Sequence, residues 1–260
     1  MRNHPEVQRL SRVAQWLYQK GWAEANAGNM SVRLVTEEIL PLEGPSEDFA
    51  LKHPCPSLAG ARFLVTATGR RMRDLPRDPG AVLGLVEILP GGSAYRRLWG
   101  SCPVTSEFPS HLCIHAMCAE GRPEMKAVLH THPPHVIALS QVSELRQTRA
   151  LNAALERMHP EVPIRVPRGV VYLDYDAPGT LSLGEKTRDA LRTHDVVLWS
   201  MHGLVALAPD VERALDLAEV TEKAAEIYLL ARSAGRPPEG LSDRQIDELR
   251  DAFGLGDIDV

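Results

Sequence analysis

Two apolar runs, Val82 to Leu89 and Tyr95 to Trp99, flank the turn residues Pro90-Gly91-Gly92-Ser93. That pattern signals a β-hairpin, and a hairpin commits the chain to antiparallel pairing. Arg62-Phe63-Leu64-Val65-Thr66 reads as another buried strand upstream. Ser31 to Val35 reads as a short strand before it, followed by an irregular Pro- and acid-rich stretch up to about Gly60. Strands that succeed one another so directly make the sheet at least partly antiparallel, with helices packed on it.

The helices are marked by their ends as well as by their period. Pro5 opens a pattern with Val7, Leu10, Val13, Ala14, Leu17 and Tyr18 on one face, and Gly21 stands where a C-terminal cap belongs. Ser106 can cap a second helix, with Pro109 in its first turn and Gly121 after its end. Further helices are expected from Pro134, over Leu181 to Thr193, and from near Asp210 to Gly235. Lys126 to Leu129, Val170 to Leu173 and Val196 to Trp199 read as short strands. There is no internal repeat and no Gly-x-Gly-x-x-Gly or P-loop pattern. The expectation is one layered α/β domain over residues 1–260, not a doubly wound nucleotide fold.

Composition narrows the partners. Lys and Arg number 29 against 34 Asp and Glu, a net charge of −5, which speaks against nucleic acid or an anionic membrane. The start Met1-Arg2-Asn3-His4-Pro5-Glu6 has no signal-peptide character, and no apolar run approaches the ~18 residues of a membrane span. Cys55, Cys102, Cys113 and Cys118 form no Cys-x-x-Cys pair, so a cytoplasmic protein with free thiols is expected and cysteine-bound zinc is set aside.

The sharpest chemical feature is His130-Thr131-His132 at the end of the apolar strand Ala127-Val128-Leu129. Side chains at i and i+2 of a strand share a face, so both imidazoles can reach one point. A second buried strand ends at His202, and Gly203 after it lets backbone approach closely. Three neutral imidazoles with one open position make a catalytic metal site, with zinc the first expectation. A lone His-x-His is as often a hydrogen-bonded surface pair; the third histidine tips the balance. A rival site exists on the helix after Thr105-Ser106-Glu107, where Glu107, His111 and His115 recur at i, i+4 and i+8. Glu107 is also explained by an ordinary capped helix N-terminus, where a carboxylate meets the helix dipole. Two loops, Asn26-Ala27-Gly28-Asn29 and Thr66-Ala67-Thr68-Gly69-Arg70-Arg71, offer backbone N–H groups, with hydroxyls and cations beside the second, for a small anion.

Taken together, Gly28-Asn29-Met30-Ser31, Thr68-Gly69, Thr105-Ser106-Glu107, His130-Thr131-His132-Pro133 and His202-Gly203 resemble the class II aldolase/adducin family, in the family's order, over roughly Gly21 to Tyr228. Gly21-Trp22-Ala23-Glu24, Phe108-Pro109, Leu83-Gly84-Leu85-Val86 and Val197-Leu198-Trp199 are similar to its rhamnulose-1-phosphate aldolase branch. The resemblance implies three layers, a central, largely antiparallel sheet flanked by helices. It implies a homotetramer with active sites between subunits. It implies zinc on His130, His132 and His202, with Glu107 as fourth ligand until substrate displaces it and as catalytic base afterwards. Phosphate of the sugar substrate would bind Asn29, Thr68, Gly69, Thr105 and Ser106. Thr131, Pro133 and Ala27 depart from the branch pattern and leave the sugar open. An L-fuculose 1-phosphate aldolase, a pentulose-5-phosphate 4-epimerase and a non-catalytic adducin-like scaffold stand as alternatives. Glu107 in place of Asp, and Glu226 where the epimerases carry a tyrosine, favour the aldolase over the epimerase.

Overall fold

The first helix, α1 (Pro5–Gln19), begins where Pro5 enters the first turn and the His4 ring accepts from the Glu6 amide. Its stripe of Val7, Leu10, Val13, Ala14 and Leu17 is buried as the sequence pattern requires. Tyr18 is not part of that stripe. One residue beyond Leu17 turns it ~100° around the helix, and it lies 47% exposed beneath the Arg73 guanidinium.

The computed structural model of the chain describes residues 1–34, 46–236 and 238–255. After α1 come β1 (Asn29–Leu34), β2 (Glu47–Ala50), β3 (Arg62–Thr66), the single turn α2 (Pro79–Val82), β4 (Leu83–Ile88) and β5 (Ala94–Gly100). Then follow α3 (Phe108–Gly121), β6 (Ala127–Thr131), α4 (Pro134–Leu139), α5 (Thr148–Leu155), α6 (Glu161–Arg165) and β7 (Val170–Leu173). The chain continues through α7 (Leu181–Ala190), β8 (Val196–Trp199), β9 (Gly203–Ala208), α8 (Val211–Ser233) and α9 (Asp243–Ala252). Val35, the expected last residue of the first strand, lies outside the described residues, as does the expected irregular stretch from 36 to 45.

These strands form one sheet in the order β2-β5-β4-β3-β1-β6-β9-β8-β7. Neighbours are antiparallel throughout except for β7 and β8, which run parallel and are joined by the α7 crossover that parallel pairing demands. The β4–β5 hairpin is built as expected: Gly91 and Gly92 both take left-handed backbone, at φ of +83° and +67°.

The pleat sorts the core into layers. Met30 and Val32 of β1, Ala127 and Leu129 of β6, and Leu204 and Ala206 of β9 pack with α1, α4, α5 and α8. Val128, Val205 and Leu207 face the other way, against Ile114, Met117 and Cys118 of α3 and Leu183 of α7. By the same alternation, Asn29, Ser31 and His130 belong to the α3 face. The expected three-layer α/β domain is present, and no described helix is long and apolar enough to cross a membrane.

Several boundaries depart from expectation. β6 runs two residues past Leu129, so His130 and Thr131 are themselves ladder residues. The second strand does not end at His202. β8 stops at Trp199, and Ser200, Met201 and His202 make a turn into β9, which the sequence reading left unassigned. The α3 cap position is Glu107, not Ser106, and Gly121 is the helix's last residue. Thr105 Oγ accepts the Glu107 amide at 3.3 Å, but no side chain caps the first turn of α3, so the capping expected of Ser106 is not made. α7 ends at Ala190, short of Thr193.

Candidate active site

Strand pairing brings the chemistry together. β1 and β6 run antiparallel with Asn29 directly opposite His130, and His130 faces Val205 of β9 on its other side. His132 follows two residues on, and the β8–β9 turn carries His202 in from the neighbouring edge. The Nε2 atoms of His130 and His132 stand 3.2 Å apart, and the ring centroids of His130 and His202 lie 4.7 Å apart. Gly203 makes this convergence possible. A Cβ there would fall 2.6 Å from the Thr131 carbonyl oxygen, 2.9 Å from Cδ2 of His132 and 3.0 Å from Cε1 of His130.

The outer nitrogens fix the tautomers. Nδ1 of His130 faces the Leu204 carbonyl at 3.1 Å, and Nδ1 of His132 faces the Glu24 carboxylate at 2.9 Å. Both partners are acceptors, so both Nδ1 atoms carry the proton and both Nε2 atoms are bare lone pairs. Two lone pairs 3.2 Å apart are not a hydrogen bond; they repel unless a cation lies between them. For a nitrogen–zinc distance of about 2.0–2.1 Å, tetrahedral ligands sit roughly 3.3 Å apart. His130, His132 and His202 each offer a nitrogen, all within 4.8 Å of one another. Burial drives the His130 ring well below its usual pKa and takes His202 down to about 4. Neutral imidazoles in this arrangement suit a divalent transition metal.

Glu107 closes the site from the α3 side. Its Oε2 lies 3.6 Å from His130 Nε2, and its Oε1 lies 3.7 Å from His202 Nε2. The carboxyl is buried, which raises its pKa, while a 2.6 Å hydrogen bond from Asn29 Nδ2 works the other way. The rival helix trio meets a different fate. His111 and His115 are buried and turn toward β1: both nitrogens of His111 bond there, to Asn29 Oδ1 and Ser31 Oγ, and His115 Nε2 bonds Ser31 Oγ at 2.7 Å. Among the described residues, only the His130, His132 and His202 group is arranged to hold a metal ion.

One pocket of about 180 Å³ contains all the expected site residues at once. Its walls are the Asn26–Asn29 and Thr66–Gly69 loops, Thr105 to Glu107, and the three histidines. The amides of Gly28, Gly69 and Ser106 donate to no acceptor among the described residues. The Thr68 amide, by contrast, is tied to the Pro103 carbonyl at 3.0 Å, so Thr68 can offer only its hydroxyl. Three free N–H groups and the hydroxyls of Thr68, Thr105 and Ser106 give one end of the pocket a set of donors suited to an anion, beside the three histidines. Ser31 and Glu24 are the supporting residues that the chemical reading did not single out. Both stood inside quoted motifs, but neither carries a signal of its own.

Known proteins align with this arrangement. Residues 8–229 match the family model described as Class II Aldolase and Adducin N-terminal domain. The rhamnulose-1-phosphate aldolase of Bacteroides thetaiotaomicron is 36% identical over 254 residues, covering 96% of this chain and 94% of that one. The rhamnulose-1-phosphate aldolase of Enterococcus faecalis is 32% identical, covering 96% and 92%. Among solved structures, a sugar-phosphate aldolase from Thermotoga maritima superposes with a TM-score of 0.81 at 39% identity, covering 90% of this chain and 98% of that one.

Proposed function

The chain belongs to the class II aldolase and adducin family, and from that premise we propose that it cleaves a ketose 1-phosphate, L-rhamnulose 1-phosphate first, into dihydroxyacetone phosphate and L-lactaldehyde. Its near-full-length relatives are class II sugar-phosphate aldolases. The observation that carries the reading is the buried Glu107 carboxyl, set between three converging histidines and an anion cradle.

His130, His132 and His202 would hold the ion, with Glu107 at the fourth position. Bound there, zinc would supply Lewis-acid stabilisation of the negative charge that builds at C3 as the C3–C4 bond breaks. The chain's own residues do the rest. The free amides of Gly28, Gly69 and Ser106 and the hydroxyls of Thr68 and Thr105 receive the phosphate and fix the sugar's reach into the pocket. Cleavage passes the C3–C4 electron pair to C3, and the C4 hydroxyl proton passes to the Glu107 carboxylate. Glu107 then delivers a proton to C3, completing dihydroxyacetone phosphate. Burial lifts its pKa toward the working range, where a carboxyl can both take and give that proton. Asn29 bonds Oε2 and keeps the carboxyl turned toward the histidines.

The near-full-length rhamnulose-1-phosphate aldolase relatives support the sugar. A homotetramer with sites completed between subunits accompanies the reading, and exposed Trp16, Tyr175 and Leu230 supply apolar surface for it. Four free thiols accord with a cytoplasmic setting. The deciding assay is release of dihydroxyacetone phosphate from a panel of ketose 1-phosphates by zinc-loaded protein. L-Rhamnulose 1-phosphate should be turned over best. Preference for L-fuculose 1-phosphate would overturn the sugar, and release from none would overturn the aldolase. Light scattering should give four chains per particle, and a fully active monomer would remove the shared-site reading.

A further inference from the structure

Behind Glu107, a chain of buried polar groups starts at Asn29 in the pocket wall and runs away from the pocket through His111, Ser31 and His115. β1 sends Asn29 and Ser31 to the α3 face at i and i+2, and α3 with its cap answers with Glu107, His111 and His115 at i, i+4 and i+8. The two spacings mesh: Glu107 to Asn29 is 2.6 Å, Asn29 to His111 2.5 Å, His111 to Ser31 2.7 Å and Ser31 to His115 2.7 Å.

The direction of every bond follows from its end. A carboxylate only accepts, so Asn29 turns Nδ2 to Glu107 and Oδ1 to His111. His111 must then donate from Nε2, which leaves Nδ1 of the neutral ring as an acceptor. Ser31 gives its hydroxyl proton to that Nδ1, and its oxygen accepts from Nε2–H of His115. Each donor in the series points toward Glu107. Burial supports the neutral rings, holding His111 down to about 3 and His115 well below its usual pKa. The chain ends blindly: among the described residues Nδ1 of His115 has no partner, and the Phe63 ring packs against the His115 ring.

We propose that His111, Ser31 and His115 are positioning residues that lock the orientation of the Asn29 amide and, through it, the aim of Glu107. With Oδ1 pinned by His111, the Asn29 nitrogen presents one hydrogen to Glu107 and keeps its second for the pocket. Were the amide to flip, two acceptors would face each other at Glu107 and the carboxyl would swing off its aim. Asn29 thereby ties the anion cradle to the proton carrier, an arrangement the histidines maintain from outside the pocket.

The kinetic arm of the test rests on the aldolase reading, and the spectroscopic arm does not. In the parent, solvent deuterium should exchange into dihydroxyacetone phosphate. His111→Leu should slow that exchange by up to about 10²-fold, the cost of misplacing a catalytic group by an ångström, with zinc content unchanged. In an Asn29→Ala background the same change should cost little more, because the link it acts through is gone. His111→Gln, whose amide N–H replaces Nε2–H, should recover most of the loss. If His111→Leu does not fold, Ser31→Ala serves, since it leaves both rings in place and removes the donor to Nδ1. Equal losses in both backgrounds, loss of zinc, or an unaffected rate would overturn the proposal. Independently of any substrate, ¹⁵N-histidine spectra should show His111 neutral, with an exchange-protected Nε2–H and a bare Nδ1. A proton on Nδ1 would overturn the proposal even in a fully active enzyme. A parent that exchanges nothing counts against the aldolase reading and leaves the spectra to decide the chain.

Discussion

Replacing Gly203 by alanine tests the metal site through one methyl group. The added carbon would stand 2.6 Å from the Thr131 oxygen, 2.9 Å from Cδ2 of His132 and 3.0 Å from Cε1 of His130. Carbon contacts settle at about 3.5–4.0 Å, so both rings must retreat by roughly 0.5–1 Å or the β6–β9 ladder must open. Overpacking of this kind costs about 1–3 kcal/mol in folding, with about 2–4 °C in Tm for each kcal/mol in a chain of this size. The larger effect falls on the ion. His130 and His132 are pushed off their common point while His202 is not, and disturbing the orientation of metal-binding histidines costs about 10–100-fold in affinity. Gly69→Ala is the contrast. Gly69 sits at φ +68° with no atom of the described residues within 4 Å of where a Cβ would stand, so the alanine costs only about 1–2 kcal/mol of backbone strain and leaves the ion alone. Zinc affinity by competition with a chromophoric chelator, measured beside Tm, separates the two. If Gly203→Ala binds zinc as tightly as the parent, the close approach at 203 does not set the site and the reasoning fails.

Three other outcomes follow from the same geometry. Glu107→Gln keeps the shape and the three histidines, so zinc stays while proton exchange of dihydroxyacetone phosphate drops by about 10²–10⁴; unchanged exchange removes Glu107 as the proton carrier. Thr68→Ala should raise KM for the sugar phosphate with little change in kcat, each charge-assisted bond being worth about 1.5–3 kcal/mol; equal turnover of the unphosphorylated ketose would sink the anion cradle. Burial keeps His111 neutral down to about 3, whereas an unfolded histidine protonates near 6.5. Only the unfolded state gains a proton between those values, so stability is full above pH ~6.5 and is lost as pH falls toward 3. The urea midpoint of metal-free protein should therefore drop from about pH 7.5 to about pH 5, and His111→Gln should flatten that slope; a midpoint rising on acidification contradicts it.

What the sequence made legible was chemistry written as residue type and spacing. His130, His132 and Gly203 could be read because metal binding demands imidazoles at one point and room for them to meet. The β4–β5 hairpin was legible because Gly91 and Gly92 announce their backbone. The β8–β9 turn was not, since its left-handed residue is Met201, at φ +59°, which carries no turn signature. That concealed β9 and misplaced His202 at a strand tip. β2 was hidden for another reason. Its residues Glu47 to Ala50 are mostly exposed, and its pairing shows only beside β5, where Asp48 meets Arg96 and Phe49 stacks on Tyr95. The Asn29–His111–Ser31–His115 series needs a strand's period of two laid against a helix's period of four, and only packing sets that register.

The three strands at the heart of the site, β1, β6 and β9, begin at Asn29, Ala127 and Gly203, and the ribosome releases them in that order. A nascent chain halted before β9 already holds His130 and His132 but presents β6 as an open strand edge, with its backbone donors and acceptors awaiting a partner. Such an edge recruits strands from other chains as readily as its own. Only when Gly203 and the five residues after it slot between β6 and β8 does the edge disappear, and the same event delivers His202. Convergence of the three histidines is thereby coupled to the sealing of that edge, while α8 and α9 are still to follow.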